Sequence, residues 1–510
     1  MATEVTENTV EIEAPVAAGS GSERPPDPCV LIIFGASGDL THRKLIPALY
    51  SLEYRGLLPE NFAVVGVART ENSTEAWREK MREAVAEFGR DEMREDVWQR
   101  LAAGMHYVTT DFSSEGGESH VMALLEQLDK ERGTQGNRVY YLAVPPGAIR
   151  RVVDKIGEEQ RAGGWVRLIV EKPFGHDLAS AKAMNDDLVT NFAEDEIFRI
   201  DHYLGKETVQ NVLAFRFANG IFEPIWNRRY IDNVQITVAE SLGIEDRAGF
   251  YETSGAIRDV VQNHLLQLLA ITAMEPPADF EADAVRNEKV KVVRSLAPPD
   301  PAYVIRGQYG PGQSGGKKVP GYREEPGVSP DSLTDTYVAL KVFIDNWRWA
   351  GTPFYLRTGK RLSGRSTTIV ALFRPAPHPP FLEIAGEGLR PNVLVIHIQP
   401  DEGITIRIGA KVPGQGMTIQ PVHLNFQYDR AFHVQLPEAY EKLILDAMLG
   451  DATLFTRIDE VEAQWAFTDS IVAQWENSKP DFPNYAAGTS GPKSADALLA
   501  RDSRVWCQTA

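Results

Sequence analysis

The stretch Arg199-Ile200-Asp201-His202-Tyr203-Leu204-Gly205-Lys206-Glu207 packs an acid, an imidazole, a phenol and an ammonium into one short segment. If it turns helical from His202 onward, Lys206 falls four residues later on the same face, and two donor groups converge on one anion. A phosphate suits that pair. The bland alternative is a solvated helix start with Asp201 as its N-cap. A second histidine, His264, lies within the apolar stripe Ile257, Val260, Val261, Leu265 and Leu268 of a long helix expected over Ala256 to Ile271. Position alone makes it a satisfied core residue rather than a catalyst, and Arg258-Asp259 in the same first turn passes for ordinary N-terminal charge. No His/Cys cluster has metal-ligand spacing, so no metal is expected.

The elements that must position these groups begin with Cys29 to Phe34, a continuous apolar run of the kind buried on both faces of a parallel sheet. It ends in Gly35-Ala36-Ser37-Gly38-Asp39-Leu40, followed by a helical pattern over Thr41 to Leu52 that Pro47 should kink. Strand, glycine turn and helix form the phosphate-cradling order, although only two of the three fingerprint glycines are present and a plain tight turn stays open. A second strand, Phe62 to Ala68, ends in Arg69-Thr70; an arginine there favours a cofactor with a 2′-phosphate over one with a free ribose hydroxyl. Further strands precede Asp111 and Pro145, with charged amphipathic helices near 75 to 101 and 118 to 132, so alternation predicts a doubly wound, Rossmann-like parallel sheet. The strand Val166 to Val170 delivers Glu171-Lys172-Pro173 at a carboxyl end, where such sheets bind ligands, and a cis bond there would face Lys172 to the cofactor crevice.

From Gln210 the texture changes to longer runs: Gln210 to Ala218, Asn233 to Glu240, Thr336 to Ile344, Thr367 to Phe373, Val393 to Gln399 and Ile404 to Ile408. Several alternate apolar and polar residues, which predicts a mainly antiparallel sheet with one packed face. The loops 297 to 301 and 307 to 327 read as solvent excursions. The division expected is a disordered tail over 1–28, a dinucleotide-binding domain over 29–199 and a larger substrate-binding and oligomerisation β+α domain over 200–510.

A net charge of −18 argues against general binding to nucleic acid or anionic membranes, so any phosphate site is a local exception. Two cysteines near opposite ends of the chain make no disulfide framework and fit a reducing cytosol. With neither a secretory signal nor a run of about 20 apolar residues, a soluble cytoplasmic protein is expected.

Taken together, the glycine turn 35–40, Glu171-Lys172-Pro173-Phe174-Gly175, the segment 199–206, Ile257 to Gln267, Arg357-Thr358-Gly359-Lys360-Arg361-Leu362, Ile398-Gln399-Pro400 and Glu438 to Ile444 resemble the glucose-6-phosphate dehydrogenase family. The resemblance implies oxidation of D-glucose 6-phosphate to 6-phospho-D-glucono-1,5-lactone with NADP as hydride acceptor and no metal, the first oxidative step of the pentose phosphate pathway. It implies that His264 is the general base and that Asp201 orients it. His202, Tyr203, Lys206 and Arg365 become the 6-phosphate ligands, and Glu240, Asp259, Lys360 and Gln399 lie around the sugar hydroxyls. Lys172 and Lys44 sit between sugar and cofactor. The cofactor positions are Gly35, Ser37, Gly38, Asp39, Leu40, Lys44, Arg69, Asp111, Pro145 and Lys172. A homodimer or homotetramer is implied. The competing hypotheses are another NADP-dependent sugar oxidoreductase, which has no use for His202, Lys206 and Arg365 together, and an inactive allosteric partner, which has no use for His264 with Asp201.

Overall fold

The computed structural model describes residues 25–507 except 113, 115, 160–162, 379, 381–389, 415, 434 and 476–477. Residues 1–24 of the expected disordered tail therefore lie outside the described residues. The chain divides into two compact units, one of residues up to 140 with 161–166, the other of 141–160 and 167 onward. A six-stranded sheet contains β1 (Cys29–Phe34), β2 (Phe62–Ala68), β3 (Met105–Thr109), β4 (Arg138–Leu142), β5 (Val166–Val170) and β6 (Ile197–Arg199). Its order is β3-β2-β1-β4-β5-β6, the doubly wound dinucleotide-binding order. Every residue of β1 and β2 is buried, which is why these strands read as unbroken apolar runs.

The glycine turn leaves β1 at Gly35, whose φ of 92° suits glycine, and closes with a bond from Gly38 N–H to the Gly35 carbonyl at 2.9 Å. Pro47, expected to kink the helix that follows, falls where that helix changes type: it is a π-helix over Thr41–Leu45, and Pro47 lies in the first turn of the α-helix Ile46–Tyr54. Trp77, on the helix Thr74–Phe88, donates its indole N–H to the Ala36 carbonyl at 3.2 Å and braces the turn from behind. That approach needs Gly66 in β2, where a Cβ would lie 2.8 Å from the indole and 2.9 Å from the Ala36 Cβ.

The second unit is built on an eight-stranded sheet. Its strands and the short ones beside it are β7 (Ile231–Ala239), β8 (Val304–Gly307), β9 (Tyr309–Gly310), β10 (Gly312–Ser314), β11 (Lys317–Val319), β12 (Tyr337–Val342), β13 (Phe354–Gly359), β14 (Ser366–Phe373), β15 (Val393–Gln399), β16 (Gly403–Lys411), β17 (Ile419–Gln427) and β18 (Tyr485–Ala486). The order is β17-β16-β15-β14-β7-β13-β12-β8, antiparallel throughout except for the parallel pair β7 and β13.

Three expectations are corrected here. Gln210 to Ala218 is not a strand: it lies in the helix Glu207–Phe217, whose buried residues Val209, Val212, Leu213 and Arg216 repeat at the helical spacing of three and four. The stretch 307 to 327 is not a solvent excursion, since β10 and β11 form a hairpin, β9 pairs with β18, and Tyr309 and Tyr322 are fully buried with Tyr337 and Tyr485. The helix expected over Ala256 to Ile271 is not α-helical throughout: after the helix Ala248–Ala256 the chain runs as a π-helix over Ile257–Leu265 and then an α-helix over Leu266–Ala273. Gly255, at φ 58°, makes the first break. A Cβ there would sit 2.8 Å from the Asp335 carboxylate, which accepts the Ile257 N–H at 3.0 Å and so starts the π-helix.

Replacing Gly66 with alanine forces a methyl into the Trp77 indole, so we expect Gly66→Ala to destabilise the first unit by about 1–3 kcal/mol, as overpacking of a core does. A urea titration followed by tryptophan fluorescence checks this; an unchanged midpoint would show that the indole has room to move.

Candidate functional site

The segment after β6 is a run of tight turns rather than a helix. The Asp201 carboxylate accepts the Tyr203 N–H at 3.0 Å, Leu204 N–H reaches the Asp201 carbonyl at 3.0 Å, and Lys206 N–H reaches the Tyr203 carbonyl at 3.2 Å. Helix begins only at Glu207. The expected helical pairing of His202 with Lys206 is thereby corrected, because the Asp201 side chain ties up the backbone that a helix would need. Gly205 lets this turn lie directly on the helix Ala439–Leu449: a Cβ there would be 2.7 Å from the Ala439 carbonyl and 2.8 Å from Leu443.

His264 is not a bland core residue. Its Nδ1 lies 2.5 Å from Asp201 Oδ1 and its Nε2 lies 2.9 Å from Lys172 Nζ. Tyr203 stacks on the ring at 4.2 Å and His202 meets it edge-on at 4.6 Å. Burial lowers the pKa of His264, Asp201 pulls it up, and the Lys172 charge pushes it down again; the net direction is down. Burial alone would raise the Asp201 carboxyl, but the His264 charge and hydrogen bond hold it well below the usual range. The pair therefore rests as an ionised Asp201 accepting the Nδ1–H of a neutral imidazole. That tautomer is assigned from the partners, and it leaves the Nε2 lone pair for the Lys172 ammonium.

Lys172 also donates to the Asp259 carbonyl at 3.1 Å and lies 3.4 Å from Asp259 Oδ1. Both Lys172-Pro173 and Gln399-Pro400 are cis. Asp259 and His264 meet the same ammonium although they are five residues apart, a spacing that points side chains to different faces of an α-helix. In the π-helix each turn closes between residues five apart, so both fall on one side. Burial opposes ionisation of Asp259, but the Lys172 and Lys360 charges lower its pKa to about 2. Lys360 in turn pairs with Glu240 and lies 5.1 Å from the Tyr251 ring.

A second group of donors gathers on Gln399 at the end of β15. Lys206 Nζ bonds its carbonyl oxygen and lies 4.8 Å over the Tyr203 ring. Arg365 donates to the same oxygen at 3.2 Å. The Gln399 amide donates to Thr367 at 2.9 Å, and the Tyr203 hydroxyl lies 3.4 Å from the same threonine. Two cations thus converge on one oxygen beside a phenol and an amide that meet at Thr367, and paired cations of this kind suit an oxyanion. Asp201, His202 and His264 also carry donor atoms within 4.8 Å of one another, the spacing of a metal site. Both His264 nitrogens, however, are committed to Asp201 and to a lysine ammonium, which repels a metal cation.

Sequence reasoning gave no role to Glu171, Tyr141 and Tyr440. Glu171 accepts from the Tyr141 hydroxyl at 2.5 Å and from Tyr440, and the Tyr440 ring lies parallel to His202 at 6.3 Å. Their motifs were visible, but a phenol has no distinctive spacing to declare what it touches.

The candidate cofactor residues of the first unit cluster at the carboxyl ends of β1, β2 and β3. Ser37, Gly38, Asp39, Lys44, Arg69 and Asp111 are exposed, and the Thr70 hydroxyl lies 3.1 Å from that of Ser37. Leu40 is half-buried at the helix start, and Pro145, exposed, and Lys172 belong to the second unit. Exposed backbone at a glycine turn, a helix start and an arginine after β2 fit the pyrophosphate and ribose end of a dinucleotide.

The family described as "Glucose-6-phosphate dehydrogenase, NAD binding domain" matches residues 32–211, and its "C-terminal domain" matches 213–507. The chain is 46% identical over 499 residues to a glucose-6-phosphate 1-dehydrogenase of Chlamydia pneumoniae, covering 96% of this chain and 98% of that one. It is 46% identical to the enzyme of that name from Bacillus subtilis, covering 94% and 98%. Among solved structures it resembles "Glucose-6-phosphate dehydrogenase in complex with its substrate glucose-6-phosphate" with a TM-score of 0.88 and 36% identity, over 95% of this chain and 99% of that one. A glucose-6-phosphate 1-dehydrogenase from Mycobacterium avium gives a TM-score of 0.81 at 36% identity, over 95% and 99%.

Proposed function

The chain belongs to the glucose-6-phosphate dehydrogenase family, and from that premise we propose how its own residues carry out the oxidation of glucose 6-phosphate. The reaction converts the sugar's C1 hydroxyl to the carbonyl of 6-phospho-D-glucono-1,5-lactone. The observation that carries the assignment is the short contact between Asp201 and a neutral His264.

Bound NADP supplies the hydride acceptor. As hydride leaves C1, positive charge grows on the carbon and ring oxygen, so the hydroxyl proton must leave in step. His264 Nε2 takes it. Asp201 fixes the tautomer that exposes Nε2 and stabilises the imidazolium once it forms. Lys172, held by Asp259, is the group the sugar hydroxyl displaces from Nε2, and its ammonium keeps the base neutral until then. His202, Tyr203, Lys206 and Arg365 hold the 6-phosphate, while Glu240, Asp259, Lys360 and Gln399 surround the sugar hydroxyls. An enzyme for unphosphorylated sugars would have no use for His202, Lys206 and Arg365 together, and an inactive partner would have no need of the dyad. The proposed working division is a cofactor domain over 29–199 and a substrate domain over 200–510, after the tail over 1–28.

Two substitutions separate the roles. His264→Asn should leave both Michaelis constants near normal and cut kcat by about 10² or more, whereas Lys206→Ala should raise KM for glucose 6-phosphate and barely change the response to free glucose. The wild-type acid limb of kcat/KM should lie below the usual histidine value of about 6.5, because the downward shift keeps the imidazole neutral to lower pH. A folded His264→Asn variant with ordinary turnover refutes the assignment.

NADP is preferred over NAD because Arg69 offers a guanidinium where an acid would be needed for a free ribose hydroxyl. Arg69→Ala should weaken NADP by about 1–3 kcal/mol while changing NAD little. Equal losses in steady-state kinetics with the two cofactors count against this.

The protein assembles as a homodimer or homotetramer and works in the cytoplasm. In support, β17 is the outer strand of its sheet with Val422 and Leu424 exposed, Cys29 and Cys507 form no disulfide, and no helix among the described residues is long and apolar enough to cross a membrane. Sedimentation velocity at micromolar protein should give an oligomer; a monomer would overturn this.

A further inference from the structure

Behind the dyad lies an ion pair without access to water. Lys289, on the helix Ala282–Arg294, places Nζ 3.1 Å from Glu460 Oε2 on the helix Ile458–Trp475, and the side chains are 1% and 0% exposed. Burial pushes the Glu460 carboxyl up, against the opposing charge of Lys289. Desolvation makes such a pair no more stabilising than well-packed apolar residues of the same volume. Its connections are more telling than its energy.

Gln267 lies three residues beyond His264 on the same run of helix, close enough to Glu460 to act on its carboxyl, and places Nε2 3.4 Å from Thr456 Oγ1. Thr456 N–H donates to the Arg199 carbonyl at 3.1 Å. Glu194 grips the Arg199 guanidinium at 2.6 Å and accepts the Ile458 N–H at 3.1 Å. Arg199 ends β6, two residues before Asp201. One side of this buried network therefore holds the helix of His264, and the other holds the strand end that presents Asp201.

We propose that Lys289 and Glu460 are positioning residues which, through Gln267 and Thr456, fix the helix carrying His264 against the strand end carrying Asp201. The inference rests on the proposed role of that dyad. Packing alone would leave the two segments free to slide by fractions of an ångström, whereas a buried charge pair resists separation because its attraction is barely screened.

The test uses the double variant Lys289→Met/Glu460→Met, which keeps the volumes and strands no charge, because Glu460→Gln alone would leave a buried ammonium unpaired. The first readout is the downfield proton resonance of the His264 Nδ1–H in the free protein, which needs no substrate. The second is the kinetics with glucose 6-phosphate and NADP. With circular dichroism unchanged, the double variant should show a shifted or broadened resonance, KM values within about twofold and kcat lowered about tenfold or more, the scale of a small misplacement of catalytic groups. The exposed Lys291→Met on the same helix should change neither. A folded double variant with wild-type kcat, or a fall in kcat with the resonance unmoved, overturns the proposal. A wild-type protein that does not oxidise glucose 6-phosphate while the resonance still moves in the double variant refutes the functional assignment and leaves the positioning role standing.

Discussion

The contact of Asp201 Oδ1 with His264 Nδ1 is the constraint from which the second unit takes its arrangement. It joins side chains that are both almost wholly buried, so neither can be satisfied by water if the other moves away. The turn that carries Asp201 is knotted by the carboxylate itself, through the Tyr203 N–H, and is seated on the helix Ala439–Leu449 at a position only glycine can occupy. The rings of Tyr203 and His202 then box the imidazole, leaving it a single rotational setting. In the proposed reaction, a pair set so firmly would have little reorganisation left to do when charge develops on it.

The π-helix is the second half of the same constraint. With α-helical hydrogen bonding from Ile257 to Leu265, Asp259 and His264 could not both face Lys172, and the lysine would lose either its carboxylate or its imidazole. Widening a helix costs hydrogen-bond geometry, and such segments concentrate at functional sites for this reason. Gly255 and Asp335 set its start, so the register is fixed before Asp259 and His264 are reached.

The first sheet was legible in the sequence because strands buried on both faces leave unbroken apolar runs, and β1, β2 and β5 fall close to where those runs lie. The antiparallel strands were found where alternation survived, as in β15 and β16; β13 carried no such signal, and β17 was passed over although Val422-His423-Leu424-Asn425-Phe426-Gln427 alternates. Gln210 to Ala218 was misjudged because Val212, Phe215 and Phe217 favour strands, while burial follows the helical spacing. The π-helix could not be read at all: five-residue spacing of Asp259 and His264 looks incoherent unless the helix is known to be wide. Motif recognition gathered Lys172, Asp201, His202, Tyr203, Lys206, Lys360, Arg365 and Gln399 as candidates, and geometry puts them in two adjoining clusters linked through Tyr203. Glu171 and Tyr440 escaped because their partners, Tyr141 and His202, lie far away along the chain.

The parallel pairing of β7 with β13 has a consequence for biosynthesis. Strands running the same way end at the same edge, which is how Glu240, just past β7, comes to meet Lys360, just past β13. A parallel pair cannot be closed by a hairpin, and here the intervening chain supplies the helix of His264 as well as β8 and β12 before β13 arrives. On a ribosome the amino-terminal sheet can therefore form early, while the edge that carries Glu240 must wait for more than a hundred residues of later chain. During that interval β7 is an unpaired strand that leaves Ile231, Val234, Ile236 and Val238 uncovered, the kind of surface that cellular chaperones bind.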